Sequence, residues 1–518
     1  MGRPSQSLAV VLATVSLIAG CGSSTGTTPP ASSEVTFASS APPSLDVAKN
    51  YNIAETNIMA MITEPLETLT QDGTYTPLLA RSVTQPDKTT IVYDLRPDVT
   101  FSNGKPLTAE DVAWSLKHVT GDTAQTKNTL EYVKSIEVTG ERQVTVTLSQ
   151  PDPLTRAALC VVGLIQEKAF AEAHAADLGS ANAVPVGTGP YTVDRYTPDE
   201  IGMKRNPRYQ GSPPAPDRLT FTAITGETKG QLAMRSGRIQ GAMISDVTAI
   251  KEWERISGAK VYNVPSLQSN FLALDVTRPP FDDVHVRRAV AHALDRPGVL
   301  SAAFGSQVRP LRSYLPDDIV RATAPSPAEA DAFLAGLPSY PFDLELAKRE
   351  LEKSAHARGL SFPVYFLDEL PWTKLVALNL QENLAKIGVS AEAKQVGRNE
   401  WLESIYAKKA GTPTPFNLGT FAPVPNGLDK VVGEGAFNVA KYSTPQTRSA
   451  LGGLTGDDAE RWEATKTLLG RIAEDVPYIP VYQGAQVSVL GGGYTYTRAP
   501  SQLDFAQGTN IRLLKAAG

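Results

Sequence analysis

The clearest match to a catalytic motif is a serine pattern close to the N-terminus. Gly22-Ser23-Ser24-Thr25-Gly26 satisfies G-x-S-x-G, in which a hydrolase serine stands on a strained turn between a strand and a helix. Residues 22–33 consist of Gly, Ser, Thr, Pro and Ala without apolar periodicity, so neither a strand nor a helix is predicted beside this serine. We interpret the pattern as a chance match that does not predict a hydrolase.

Metal and phosphate chemistry also lacks a suitable pattern. The five histidines form neither H-E-x-x-H nor H-x-x-E-H, and two of them, His285 and His292, would be two helical turns apart, where bridging a zinc ion is strained. The sequence has only two cysteines and no G-x-x-x-x-G-K-[ST] segment. We therefore predict no metal site, no cofactor and no nucleotide hydrolysis. The histidines are His118, His174, His285, His292 and His356.

Composition and size set the class of protein. The 518 residues carry 49 Lys+Arg and 54 Asp+Glu, a net charge of −5 without an evident basic tract, so nucleic acid is not an expected partner. Hydrophobic residues make up 42% and charged residues 20%, as in ordinary globular proteins. A chain of this length predicts about two to four domains.

The N-terminus has the pattern of an export signal that ends in a lipid attachment site. Leu8–Ile18 is an apolar run that follows Arg3 and is too short to cross a bilayer comfortably. It ends in Leu17-Ile18-Ala19-Gly20-Cys21, which resembles a bacterial lipobox. We predict a signal peptide over 1–20, lipidation of Cys21, and a flexible tether over 21–33 that holds the protein on the extracytoplasmic face of the cell membrane. The alternative is an ordinary cleaved signal peptide. If Cys21 is acylated, Cys160 has no partner, and it reads as a buried small hydrophobe.

The rest of the sequence predicts a mixed α/β fold. Residues 90–96 alternate as a strand, and 135–139 with 143–148 read as a hairpin. Thr108 and Asp111 predict a capping box at the start of a helix. Apolar residues at helical spacing predict further helices around 286–294 and 376–387, whereas the proline-rich stretch 303–341 suggests a long surface excursion.

Several segments together resemble one family. Residues 93–112, YDLRPDVTFSNGKPLTAEDV, match the signature L-R-x-x-V-x-F-S-x-G-x-P-x-T-A-x-D-V of the bacterial extracellular solute-binding proteins of family 5, which serve oligopeptide, dipeptide and nickel importers. The turn over 101–106 and the capped helix after it give this block a structural role in its own right. Further similar segments extend the resemblance over 34–518: they lie at 77–82, 187–191, 204–209, 281–289 and 476–482.

The resemblance implies a periplasmic-binding-protein-like fold of type II, in its three-domain peptide-binding subclass. Domain I would combine 34–66, 188–276 and 478–518, domain II would be 67–187, and domain III would be 277–477. The lobes would close over a cleft, so that ligand contacts on both sides shift the population toward the closed state. The implied function is capture of a peptide or peptide-like solute by a monomer that delivers it to the permease subunits of an ABC importer.

The resemblance also implies where the ligand binds. Peptide-binding relatives have a loop with an aspartate that pairs with the ligand's α-amino group, and the matching loop here, 418–426, has Pro423 at that position. Recognition of a free amino terminus is therefore in doubt, with Asp429 and Glu434 as possible substitutes nearby. The predicted ligand-binding residues are Ser40, Asp46, Thr420, Phe421, Ala422, Pro423, Val424, Asn426 and Asn438.

Two alternatives to transport remain open at this point. An enzyme is one, although no nucleophile or metal pattern supports it. The other is a lipoprotein that keeps the binding fold but regulates envelope synthesis, which the missing loop aspartate favours slightly.

Overall fold

The computed structural model describes residues 34–39, 42, 44–49, 53–356, 358–368, 370–406, 412–420, 422–425 and 427–517. The predicted signal peptide, the tether with Cys21, and the site residues Ser40, Phe421 and Asn426 lie outside the described residues. Among the helices in those ranges, none combines the length and the apolar character needed to cross a membrane.

The fold alternates helices and strands along the chain. The strands are β1 (Glu34–Ser39), β2 (Glu67–Leu69), β3 (Tyr75–Pro77), β4 (Ala80–Asp87), β5 (Thr90–Leu95), β6 (Val133–Gly140), β7 (Gln143–Leu148), β8 (Tyr191–Thr197), β9 (Glu200–Arg205), β10 (Arg218–Ala223), β11 (Gly241–Ile244), β12 (Lys260–Ala273), β13 (Arg309–Pro310), β14 (Ser361–Phe366), β15 (Ser390–Gln395), β16 (Thr414–Gly419), β17 (Tyr478–Leu490), β18 (Tyr494–Tyr496) and β19 (Leu514–Ala516). The α-helices are α1 (Ile53–Met59), α2 (Ala109–Thr120), α3 (Pro153–Val162), α4 (Lys168–Ala173), α5 (Glu227–Arg235), α6 (Ile250–Glu254), α7 (Val284–Ala293), α8 (Arg296–Phe304), α9 (Asp317–Thr323), α10 (Pro327–Gly336), α11 (Leu344–Lys353), α12 (Pro371–Ala385), α13 (Arg398–Tyr406), α14 (Gly427–Val431), α15 (Pro445–Leu451), α16 (Asp458–Asp475) and α17 (Gln502–Ala506).

A nine-stranded sheet runs through the molecule in the order β16-β12-β17-β11-β1-β10-β9-β8, with β13 paired to β17. The long strands β12 and β17 are antiparallel partners. The outer halves, residues 260–265 of β12 and 485–490 of β17, pair with each other, and β17 also pairs there with β11. In the inner halves β12 pairs with β16, and β17 pairs with β13. The pairing register shifts between Pro265 and Ser269, so the sheet has two halves joined by one strand pair.

A smaller antiparallel sheet, β4-β5-β7-β6, lies within residues 67–187. The predicted hairpin is β6 and β7, and the predicted strand is β5. Thr108 caps α2 with the expected reciprocal bonds: its side chain accepts from the Asp111 backbone N–H, and the Asp111 carboxylate accepts from the Thr108 N–H. The sequence prediction for this region is confirmed.

The stretch 303–341 differs from the prediction of a surface excursion. Pro316 immediately precedes α9 and Pro327 is the first residue of α10, positions where a missing backbone N–H costs nothing. Both helices bury apolar side chains in the core of the 277–477 region. These include Ile319, Val320, Ala330 and Leu334. The prolines therefore start helices that pack inward.

A buried ion pair ties α3 to β2. The guanidinium of Arg156 donates from Nε to Glu67 Oε1 at 2.9 Å and from Nη2 to Oε2 at 2.7 Å. Glu67 is 2% exposed, and the guanidinium stacks over the Tyr75 ring at 4.1 Å. Removing the cation would leave a carboxylate buried without its partner, which is among the costlier single changes in a protein.

We expect Arg156→Ala to lower the free energy of unfolding by about 3–5 kcal/mol, because Glu67 loses its bidentate partner. The fall in thermal midpoint, followed by circular dichroism, measures it. Arg255→Ala is the matched control, since Arg255 and Glu252 form a pair at 3.4 Å with side chains 72% and 47% exposed. Equal midpoints for the two variants would contradict a structural role for the buried pair.

Candidate functional site

A cavity of about 270 Å³ lies between the 67–187 region and the 277–477 region, next to the place where the β12–β17 register shifts. Its volume is near the lower end of the range for small-molecule sites, about 300–1,000 Å³. Its lining comes from both regions and from β12. The residues are Asn128, Thr129, Glu131, Tyr132, Asp152, Leu154, Leu267, Ser269, Tyr314, Leu315, Pro316, Ile319, Leu418, Gly419, Thr420, Gly427, Asp429, Lys430 and Phe437.

Local sequence signals position both walls. On one side Asp152 caps α3, accepting from the backbone N–H groups of Leu154 and Thr155 at 3.1 and 2.9 Å, and Pro153 is the first helical residue. On the other side the chain leaves β16 at Gly419, and Thr420 donates from Oγ1 to the Ala422 carbonyl at 2.9 Å. This bond turns the chain back toward α14, which carries Asp429 and Lys430.

The cavity combines an apolar lining with an excess of negative charge. Leucine, isoleucine and phenylalanine side chains offer room for an apolar ligand group. Three carboxylates, Glu131, Asp152 and Asp429, face a single lysine, Lys430, among the described lining residues. A cationic or zwitterionic ligand therefore suits the cavity better than an anionic one.

Asp429 is the most unusual of these groups. Lys430 Nζ lies 3.1 Å from its Oδ2, whereas Oδ1 is buried and has no hydrogen-bond partner among the described residues. Burial raises the pKa of the Asp429 carboxyl, and the charge of Asp152 acts in the same direction, with Lys430 opposing both. The Tyr314 hydroxyl is likewise buried without a partner in the described part of the chain. Unsatisfied buried polar atoms are costly, and here they cluster at one wall of the cavity.

The two regions also touch through residues that do not line the cavity. Lys88, in the turn between β4 and β5, places its Nζ 3.0 Å from Oε2 of Glu460 in α16, and both side chains are about half exposed. The turn at Gly73, where φ is +87°, brings the backbone close to the loop after β16. A Cβ at Gly73 would lie 3.9 Å from Pro423 Cγ. Direct contacts therefore join regions that are far apart in sequence.

The predicted site residues have different positions in the structure. Thr420 lines the cavity. Ala422 is buried, and Val424 packs with it against the core that includes the smaller sheet. Pro423 faces the Gly73 turn.

The side chains of Asp46 and Asn438, two predicted ligand-binding residues, form hydrogen bonds with other groups of the protein. The Asp46 carboxylate is fully buried and hydrogen-bonds to Nε2 of His118 at 2.8 and 3.0 Å. Asn438 donates from Nδ2 to the carbonyls of Gly433 and Tyr442, and its Oδ1 accepts from the Tyr442 N–H and the Tyr478 hydroxyl. Its hydrogen-bonding capacity is therefore used by its own loop and by Tyr478 of β17.

Sequence reasoning missed most of the cavity. It did not identify the segment 128–132, Asp152, Ser269 or Tyr314, which are separated by up to hundreds of residues from the loop at 418–426. The Asp152-Pro153 pair is a helix-start signal, but it says nothing about what the capped end faces. A single sequence offers no signal for such long-range proximity.

The described residues show no arrangement typical of metal or thiol chemistry. No group of three or more His, Cys, Asp and Glu side chains within the described ranges could hold a metal ion. Cys160 is buried, and burial raises the pKa of its thiol well above the usual value, so the reactive thiolate is disfavoured.

Known proteins are similar to this chain in sequence and in fold. A putative ABC transporter peptide-binding protein of Brucella ovis is 25% identical over 393 residues, covering 71% of this chain and 70% of that protein. A probable di/tripeptide-binding protein of Pseudomonas aeruginosa is 26% identical over 407 residues, covering 71% and 73%. The crystal structure of the ABC transporter substrate-binding protein CtaP from Listeria monocytogenes matches with a TM-score of 0.80 at 20% identity, covering 94% of this chain and all of that one.

The family itself is defined by a sequence model. Residues 74–442 match the model described as bacterial extracellular solute-binding proteins, family 5, middle region. That span includes the smaller sheet, the loop after β16 and every lining residue of the cavity between the two regions. The chain belongs to the bacterial extracellular solute-binding proteins of family 5.

Proposed function

We propose that the protein captures a peptide or peptide-like solute in the cavity between the 67–187 and 277–477 regions and delivers it to the permease of an ABC importer. The observation that carries the proposal is a cavity with walls from both regions, acidic on balance and apolar in part. The relatives from Brucella and Pseudomonas are named for peptide binding. Binding needs no chemical step, so the proposal includes no enzymatic activity.

Hinge closure is the proposed mechanism. The domains would be those of the sequence prediction, with domain I from 34–66, 188–276 and 478–518, domain II from 67–187, and domain III from 277–477. In support, the smaller sheet lies within 67–187, and β12 and β17 continue from one half of the large sheet to the other. A change of backbone angles at the register shift near residues 265–269 would swing the halves without breaking the outer ladders.

Asp429 is the proposed anchor for the positive end of the solute. Pro423 offers no charge, whereas Asp429 lies on the cavity wall with a carboxylate oxygen that has no partner among the residues the structure describes. An ammonium group that reached it would gain a charge-assisted hydrogen bond in a region of low polarity. Thr420 and the apolar lining would contact the remainder of the solute, while the roles predicted for Ser40, Phe421 and Asn426 stay predictions.

The role of Asp429 can be tested with the tightest-binding peptide from a tripeptide library and with the N-acetylated form of that peptide. Calorimetry measures the affinity of the protein for each of them. We expect Asp429→Asn, and separately N-acetylation, to weaken binding about tenfold or more, because each removes one partner of a buried charged pair. On Asp429→Asn, acetylation should cost little more. Since the Asp429 pKa is raised, lowering the pH protonates it earlier than an ordinary aspartate, so wild-type affinity should fall with acidification and that of the variant should not.

Glu434→Gln is the matched control, because Glu434 is exposed near the same loop and is not a lining residue of the cavity. It should bind as the wild type does. If neither acetylation nor Asp429→Asn weakens a peptide that does bind, Asp429 is not its anchor. If no peptide binds at all, the proposed solute class is wrong.

Closure should respond to the contact between Lys88 and Glu460. We expect Lys88→Glu to raise the radius of gyration measured by small-angle X-ray scattering without added peptide, because repulsion replaces a pair worth about 0.2–1 kcal/mol. High salt should reduce the difference. Lys134→Glu, at an exposed position of β6, makes the same charge change away from the contact. Equal scattering from the two variants would argue against a contribution of this contact to closure.

The membrane anchor is a separate part of the proposal. We expect Cys21→Ser to move the protein from the membrane fraction to the soluble fraction, because the acyl chains would be attached through the Cys21 thiol. Intact-mass measurement of the wild type should show the added acyl mass. Membrane retention of the variant, with no acyl mass on the wild type, would refute lipidation.

A further inference from the structure

A second and larger cavity, of about 430 Å³, lies within the 277–477 region and its junction with β17. Its walls are the segment 310–314, the end of α10 with the loop after it, the C-terminal half of α16 and the start of β17. The lining residues that the argument uses are Arg296, Arg312, Tyr314, Ala335, Tyr340 and Pro480. The proline-rich stretch at 303–341 supplies much of this lining. The proposed transport function does not involve this part of the cavity wall.

The lining is mainly apolar, with the hydroxyls of two serines and three tyrosines and the charges of two arginines. It includes leucine, isoleucine, valine, proline and aromatic side chains, and no aspartate or glutamate occurs among its described residues. Arg312 is neutralised next to the cavity, because its Nε donates to Asp317 Oδ2 at 2.9 Å and its guanidinium also contacts Asp331. The other guanidinium, that of Arg296, has no carboxylate partner in the described part of the chain.

Arg296 is an unpaired cation at the wall of an apolar chamber. Its Nη2 donates to the Tyr340 carbonyl at 2.7 Å and its Nη1 to the Pro480 carbonyl at 3.2 Å, and no carboxylate of the described residues lies within ion-pair distance. Burial lowers the pKa of Arg296, as expected for a desolvated charge without a compensating anion. A guanidinium has more N–H donors than these two bonds use, so donors remain for a further acceptor.

Arg287, in the same region, is an arginine with a purely structural role. Arg287 is buried and donates to three backbone carbonyls, those of Phe281, Asp282 and Asp475. It is not a lining residue of the cavity, and the Asp475 carboxylate lies near enough to favour its charge. Arg296 has fewer protein acceptors and borders open space, which is the arrangement expected where a ligand supplies the anion.

We propose that this cavity is a second binding site, for a small alkyl carboxylic acid, with the carboxylate on Arg296 and the hydrocarbon chain along the apolar wall. The charge of the lining selects the occupant: an uncharged hydrocarbon would leave the guanidinium unpaired, and a cation would be repelled by it. The volume lies within the range of small-molecule sites, about 300–1,000 Å³. The site is distinct from the cavity between the regions, with which it shares the side chain of Tyr314.

The test is calorimetric titration of the purified full chain with octanoate, and in parallel with 1-octanol. We expect saturable octanoate binding that Arg296→Gln weakens about tenfold or more, because a charge-assisted hydrogen bond is lost. Octanol should bind more weakly than octanoate to the wild type, and equally to the wild type and Arg296→Gln. Ala335→Trp provides a second route, since Ala335 is exposed on α10 and a large side chain there fills the cavity while the bonds of Arg296 remain. This variant should abolish octanoate binding.

Two controls separate this site from the proposed solute site. Asp429→Asn should leave octanoate affinity unchanged, because Asp429 is not a lining residue of this cavity. Peptide affinity should be the same in wild type and Ala335→Trp. Three results would each contradict the second site, whatever the outcome for peptide binding. They are octanoate binding that does not saturate, equal octanoate affinity of Ala335→Trp and wild type, and full competition between octanoate and peptide.

Discussion

The pairing of β12 with β17 is the constraint on which the rest of the structure depends. These two strands pair with each other in both halves of the large sheet. Each half therefore takes its position from the same two backbones. The interruption between Pro265 and Ser269 is where this pairing is weakest, and Leu267 and Ser269 at that point line the cavity between the regions. Backbone hydrogen bonds thus fix the two halves internally, and the interruption in them lies next to the cavity between the regions.

Local features of the fold could be predicted from sequence because their causes are local. The capping box at Thr108 and Asp111, the β6–β7 hairpin and the buried faces of α7 and α12 each follow from residues within a few positions of one another. Proline misled the prediction at 303–341, because a proline signals a helix start as well as a loop. The choice depends on whether apolar residues further along find a core, which a single sequence does not show.

The candidate site was much less predictable. The resemblance to the family directed attention to the loop at 418–426, and Thr420 does line the cavity. The most distinctive group is Asp429, on α14 outside that loop, which the sequence offered only as a substitute for Pro423. Burial, and an oxygen without a partner among the described residues, set Asp429 apart. Spacing in the sequence marks neither burial nor a missing hydrogen bond, since both result from segments that meet only after folding.

Tyr314 lines both the cavity between the regions and the cavity at Arg296, so its ring separates them. Its ring is fully buried and packs against Phe271 and Tyr478, with centroids 4.9 and 5.3 Å away. Close packing leaves such a ring few alternative rotamers, so its position fixes part of the wall of each cavity. The aromatic stack is therefore a rigid partition, and each cavity keeps its own shape when the other one is filled.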